Sequence, residues 1–190
     1  MDNFVSPIWI FEKELPSQIC DYIIKVADRN EYSRGTAGDD TLADRMKRDT
    51  DVQFSEERWL NGIFFSYALR ANGANWNYDM STVDHECMQV CKYNEGQFYK
   101  EHTDYCGIRG RCDHTRKLSV STQISKEEDY QGGELELDLK PVGGEGWWTA
   151  PKSRGTIVVF DSRILHRVNP VTSGLRYSVQ KWVHGDKPLR

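Results

Sequence analysis

Residues 156–183 read TIVVFDSRILHRVNPVTSGLRYSVQKWV. Short β-branched and aromatic runs at Thr156–Phe160, His166–Val168 and Arg176–Val183 are parted by turn residues such as Asn169-Pro170. In the last run polar and apolar residues alternate, the pattern of a strand with one face turned inward. The same texture extends upstream to Gly73. It predicts further strands at Trp76–Met80, Glu86–Tyr93, Gln97–His102, Lys117–Ile124, Glu134–Leu139 and Gly146–Ala150, separated by Asn94-Glu95-Gly96, Gln131-Gly132-Gly133 and Pro141-Val142-Gly143-Gly144. About eight or nine short strands in succession point to a closed β-sandwich or jelly roll.

Before Gly73 the periodicity is helical. Ile19, Ile23, Val26 and Ala27 mark one helix after Pro16-Ser17. Trp59, Leu60, Ile63, Phe64, Tyr67 and Ala68 mark a second, led by Ser55-Glu56-Glu57 and stopping near Asn72-Gly73. The expectation is an α+β, mainly β protein: one domain over 1–190, with a helical part (1–75) packed outside a jelly-roll core (76–185). Two polar stretches, 28–51 and 105–116, are suited to flaps over a site.

The chain has 190 residues, 28% charged and 12% aromatic, long enough for a core without staples. A net charge of −4 disfavours a mainly electrostatic nucleic-acid binder. No apolar run reaches the ~20 residues of a membrane helix. The start, MDNFVSPIWIFEKELP, lacks the pattern of a secretory signal. Five cysteines, an odd number, read as cytosolic thiols rather than a disulfide framework, so a cytoplasmic protein is expected.

His102 and Asp104 stand two apart in YKEHTDY. If Gln97–Asp104 is extended, both side chains share a face. With His166 they make two imidazoles and one carboxylate, the set that occupies one face of an octahedral Fe(II) ion and leaves three positions open. H-x-D alone also recurs among exposed polar residues. Arg176, ten residues beyond His166, gives the set more weight. A buried guanidinium needs an acid. The chain's own candidates are Asp161 and Glu134, and a bound dicarboxylate would serve through two parallel hydrogen bonds. Cys106, Cys112 and His114 share a short loop, but their spacing matches no usual zinc site.

YNEGQFYKEHTDY matches the Y-x-x-G-x-x-Y-x-x-H-x-D pattern of 2-oxoglutarate- and Fe(II)-dependent oxygenases of the prolyl 4-hydroxylase type. DYQGGELEL is similar to their GGEL segment. HRVNPVTSGLR resembles the bacterial PKHD-type hydroxylases, and VQKWV the collagen-type prolyl 4-hydroxylases. The resemblance runs from about Gln89 to Gly185, half the chain, with its motifs in the family order.

It implies a double-stranded β-helix with Fe(II) held by His102, Asp104 and His166. It further implies 2-oxoglutarate anchored at its far carboxylate by Arg176, with Tyr93 donating its phenol. Ser178 shares a strand face with Arg176 and resembles the second member of the R-x-S pair of other oxygenases in the superfamily, not of the prolyl hydroxylases, which places its hydroxyl towards the same carboxylate. O2 is the co-reactant and ascorbate a possible accessory reductant. Arg176 agrees with the PKHD type and departs from the lysine of collagen-type members. Gln123 stands where many relatives carry an aromatic residue. The expected reaction is hydroxylation of a prolyl residue in a peptide or protein. The rivals are hydroxylation of a free amino acid or other metabolite, and a cupin-like metal-binding module without turnover.

Overall fold

The computed structural model describes residues 5–36, 46–81, 86–105 and 115–185. In chain order the elements are β1 (Ile8–Phe11), α1 (Ser17–Ala27), β2 (Ser33–Arg34), β3 (Arg48–Asp49), β4 (Asp51–Ser55), α2 (Arg58–Ala71), β5 (Met88–Tyr93), β6 (Phe98–His102) and β7 (Thr115–Gln123). There follow β8 (Tyr130–Gly132), β9 (Leu135–Asp138), β10 (Trp147–Thr149), β11 (Ile157–Asp161), β12 (His166–Val168), β13 (Val171–Gly174) and β14 (Arg176–Gly185). A seven-stranded sheet has the order β1-β11-β7-β14-β5-β4-β2 and a five-stranded sheet the order β10-β9-β12-β6-β3. A β8–β13 ladder completes the jelly roll.

Strand alternation gives the large sheet two buried faces. Met88 and Val90 of β5, Leu118 and Val120 of β7, Ile157 and Val159 of β11, and Tyr177, Val179 and Val183 of β14 join the helices in one cluster. Cys91, Tyr93, Val158 and Phe160, one residue out of phase, join a second cluster between the sheets. Helix α2 meets the first with Leu60, Phe64, Ala68 and Ala71, an i, i+4, i+8, i+11 stripe. Burying Leu60 or Phe64 contributes about 1.5–3 kcal/mol each. Helix α1 does so with Cys20, Ile23 and Ala27. Residues of 1–75 and of 76–185 thus share one core.

Three expectations are corrected. The N-terminal part is not only helical: β1 pairs with β11 at one edge of the large sheet, β4 with β5 and β2 with β4 at the other, and β3 with β6 at the edge of the small sheet. Strands of two to five residues show no periodicity of their own; the unpaired backbone of a sheet edge recruits them. The expected strand at Trp76–Met80 does not form. Helix α2 does not stop at Asn72-Gly73 but widens into a π turn over Asn72–Trp76, ended by Asn77 in the left-handed region at φ 52°. The Asn72 amide closes the turn, accepting from Tyr78 N–H (2.8 Å) and donating to Tyr78 C=O (3.0 Å). Trp76, Tyr78 and Met80 all pack on the helix-side core, so their period of two reflects a shared destination rather than a strand.

Of the two expected flaps, 37–45 and 106–114 lie outside the described residues, as do Cys106, Cys112 and His114. Cys20, Cys87 and Cys91 are free thiols. Among the described residues no helix is long and apolar enough to cross a membrane.

Candidate metal centre

His102 and His166 meet because their strands do: β6 and β12 are antiparallel neighbours in which His166 pairs with His102. The register then slips, and Val168 pairs with Tyr99, so three residues of β6 span what two cover on β12. The extra residue changes the phase of β6. Tyr99 and His102, three apart, therefore stack face to face with centroids 3.5 Å apart. The imidazoles of His102 and His166 lie 4.1 Å apart, centroid to centroid.

Asp104 arrives by another route. Strand β6 ends at His102, so the shared strand face expected from the sequence is not what places the carboxylate. Its backbone N–H donates to Ser162 C=O (3.0 Å), and Ser119 Oγ donates to its Oδ2 (2.7 Å). Oδ2 then lies 3.4 Å from His166 Nε2 and Oδ1 lies 3.8 Å from His102 Nε2. One donor atom from each of the three residues falls within 4.8 Å of the others.

The protonation pattern suits a cation. His102 Nδ1 is 2.7 Å from Lys100 C=O and His166 Nδ1 is 2.9 Å from Ile164 C=O. A carbonyl only accepts, so Nδ1 carries the hydrogen in both rings and Nε2 of each is the atom turned inward. Burial, with His166 beside it, holds His102 below the ordinary imidazole value and keeps it neutral. Burial opposes the Asp104 carboxylate, but the adjoining imidazoles and the Ser119 hydroxyl outweigh it and hold its carboxyl below the ordinary range. Nε2 of both rings and the Asp104 carboxylate thus converge on one point. With the rings unprotonated there, this mixed nitrogen and oxygen set fits Fe(II).

Arg176 lies opposite Tyr93 in the β14–β5 ladder, 3% exposed, its guanidinium carbon 5.2 Å from the Tyr93 ring centroid. Nη1 donates to Ser178 Oγ (3.1 Å), while Nε is buried without a partner. Neither acid offered by the sequence serves it. Asp161 holds Arg163 (2.7 Å) and the Tyr78 hydroxyl (2.5 Å), and Glu134 faces Lys152 (3.5 Å). Gly133 makes room: with φ at +64°, a Cβ there would stand 2.9 Å from Arg176 Cδ. The second glycine of GGEL therefore clears a path for the guanidinium as well as making a turn. Burial pushes the Tyr93 phenol up to about 12, so it remains a hydrogen donor at neutral pH.

Sequence reading missed Arg48. It is 6% exposed, stacks over Tyr99 (4.6 Å), and donates to Gln89 Oε1 (2.7 Å) and Thr36 C=O (3.1 Å). Gly35 lies so close that a Cβ would stand 2.7 Å from Arg48 Nε. Arg48 sits in a charge-dense stretch without periodicity, so nothing local distinguishes it from its exposed neighbours. Ser119 was missed likewise, as one small polar residue in a strand. The candidate ligand set opens on a cavity of about 660 Å³ lined by Tyr93, Arg48, Leu135, Gln180, Arg116 and Trp182 among others.

Comparison with known proteins agrees with this geometry. The family model of the 2OG-Fe(II) oxygenase superfamily matches residues 88–184. A PKHD-type hydroxylase of Synechococcus sp. (strain JA-2-3B'a(2-13)) is 35% identical over 100 residues, 52% of this chain and 42% of that protein. One of Acinetobacter baumannii is 27% identical over 153 residues, 78% of this chain and 64% of that protein. The matched segment spans less than half the length of the Synechococcus relative. Among solved structures, a Pseudomonas putida prolyl-4-hydroxylase superposes with a TM-score of 0.70 at 18% identity, covering 94% of this chain and 92% of that one. A Trichoplax adhaerens prolyl hydroxylase, in complex with a hypoxia inducible factor peptide fragment, gives 0.73 at 20% identity, covering 95% and 84%.

Proposed function

Because the chain belongs to the 2OG-Fe(II) oxygenase superfamily, we propose that it hydroxylates an unactivated C–H bond of a prolyl residue in a peptide or protein, consuming 2-oxoglutarate and O2 and releasing succinate and CO2. The observation that carries this reading is the inward-facing set of His102, Asp104 and His166, together with a buried Arg176 that has no carboxylate bonded to it among the described residues. In this reading the three side chains hold Fe(II) on one face, which leaves positions for the cosubstrate and O2. Arg176 holds the far carboxylate of 2-oxoglutarate, with the Ser178 hydroxyl and the Tyr93 phenol beside it. The bound iron and cosubstrate supply the oxidising power, and the protein contributes position and shielding.

A peptide is favoured over a small metabolite by the mouth of the cavity. Ser33, Arg34, Thr36 and Phe54 line it and are exposed, Phe54 at 52%, so an extended chain can lie across the opening. Relatives in fold are prolyl hydroxylases, one of them solved with a peptide. In this reading residues 1–190 work as a single catalytic domain, supported by the core its two parts share.

The test is aerobic incubation with Fe(II), 2-oxoglutarate and ascorbate against a panel of proline-containing peptides. Expected is one added oxygen on proline, equimolar with succinate. Stoichiometric oxidation of a free amino acid with no peptide modified would overturn the substrate. Absence of succinate with every candidate would overturn the activity.

A further inference from the structure

The three proposed iron donors do not stand on equal footings, and the difference singles out Ser119. His102 and His166 are anchored within the small sheet by direct pairing of β6 and β12 and by the carbonyls of Lys100 and Ile164. Asp104 lies beyond the end of β6 and is steadied from the opposite sheet. Its main chain hangs on Ser162, which in turn donates through its N–H to Lys117 C=O (3.0 Å) and through its hydroxyl to Arg116 C=O (2.6 Å), both on β7. Besides the two imidazoles, its side chain accepts a hydrogen bond, among the described residues, from Ser119, also on β7 and 1% exposed, between Phe160 of β11 and Trp182 of β14.

Resting on the Fe(II) reading above, we propose that Ser119 is a positioning residue for the metal. Its hydroxyl occupies one oxygen of Asp104, fixes the rotation of the carboxylate, and leaves the other oxygen as the donor to the ion. A carboxylate accepts only, so the hydrogen of this contact belongs to Ser119. A short hydroxyl–carboxylate bond of this kind is charge-assisted and directional. The consequence is that the two sheets of the jelly roll are joined through the metal: two ligands from one, the third oriented from the other.

Loss of a partner that orients a metal ligand typically costs ten- to a hundredfold in affinity. The experiment is an anaerobic titration of wild type, Ser119→Ala and Ser119→Thr with Co(II), read by the visible absorption of the bound ion and needing no turnover. Ser119→Ala should bind Co(II) about ten- to a hundredfold more weakly and with an altered band shape. Ser119→Thr, which keeps the hydroxyl, should return both towards wild type. Ser119→Cys fills the same space with a weak donor and carries the alanine prediction should that variant not fold. Wild-type affinity and spectrum in Ser119→Ala would overturn the positioning role while leaving the metal site standing. Failure of the wild type to bind Co(II) at all would overturn both.

Discussion

Replacing Arg176 by methionine tests the cosubstrate assignment from two directions at once. In the ligand-free protein Arg176 is buried, bonds Ser178 through one nitrogen, and leaves Nε without a partner. Were it one half of a structural ion pair, removing it would strand a buried charge and cost about 3–5 kcal/mol. With no carboxylate bonded to it among the described residues, a side chain of similar length and no charge should leave the ligand-free stability unchanged or raised. Cosubstrate binding should respond in the opposite sense. A lost hydrogen bond to a charged group costs about 1.5–3 kcal/mol, which is roughly ten- to two-hundredfold in Kd. Arg176→Lys keeps the charge and loses the planar fork, and should fall between. The assay is thermal unfolding of the Mn(II) form with and without 2-oxoglutarate. At a hundred times Kd, wild type should gain about 2.7 kcal/mol, or roughly 2–4 °C per kcal/mol for a chain of this size. At the same concentration Arg176→Met should keep about half of that rise if Kd is tenfold weaker (about 1.4 kcal/mol) and almost none if two-hundredfold weaker (about 0.2 kcal/mol), while matching wild type without ligand. Equal rises in the two proteins would refute the anchor. A large loss of ligand-free stability would return Arg176 to a structural role.

His102→Ala, Asp104→Ala and His166→Ala should each abolish tight Co(II) or Fe(II) uptake, measured by anaerobic titration, with the far-ultraviolet circular dichroism retained. Gly133→Ala combines a strained φ of +64° with a Cβ 2.9 Å from Arg176 Cδ and should raise the KM for 2-oxoglutarate more than it lowers kcat. The Tyr93 phenol, held up to about 12 by burial, is protonated in the folded protein where an unfolded tyrosine ionises near 10. Its contribution to stability is therefore complete below pH 10 and lost from there to about pH 12. Denaturant unfolding of Tyr93→Phe should show a shallower alkaline decline than wild type over that window. Asn72→Ala removes both side-chain bonds to Tyr78 and should lower the stability by about 1–3 kcal/mol in urea unfolding.

The candidate site residues were legible in the chain because they sit in local patterns. Y-x-x-G-x-x-Y-x-x-H-x-D, His166 before Asn169-Pro170, and Arg176 within an alternating strand each carry their signal in a dozen residues or fewer. The long strands and both helices were legible for the same reason, since burial of one face imposes a period of 2 or 3.6 on the residues themselves. The short strands β1 to β4 were not, because they exist through the sheet edges they complete. The phase of β6 was also hidden: a bulge, set by pairing with β12, decides that Tyr99 rather than a residue two away shares a face with His102. Arg48 and Ser119 became visible only when chain segments 54 and 17 positions from His102 closed around it. The sequence by itself determined which side chains can ligate, anchor and pack. The tertiary structure decided which of them face a common point, because that depends on register and on partners from the opposite sheet, and neither has a local period.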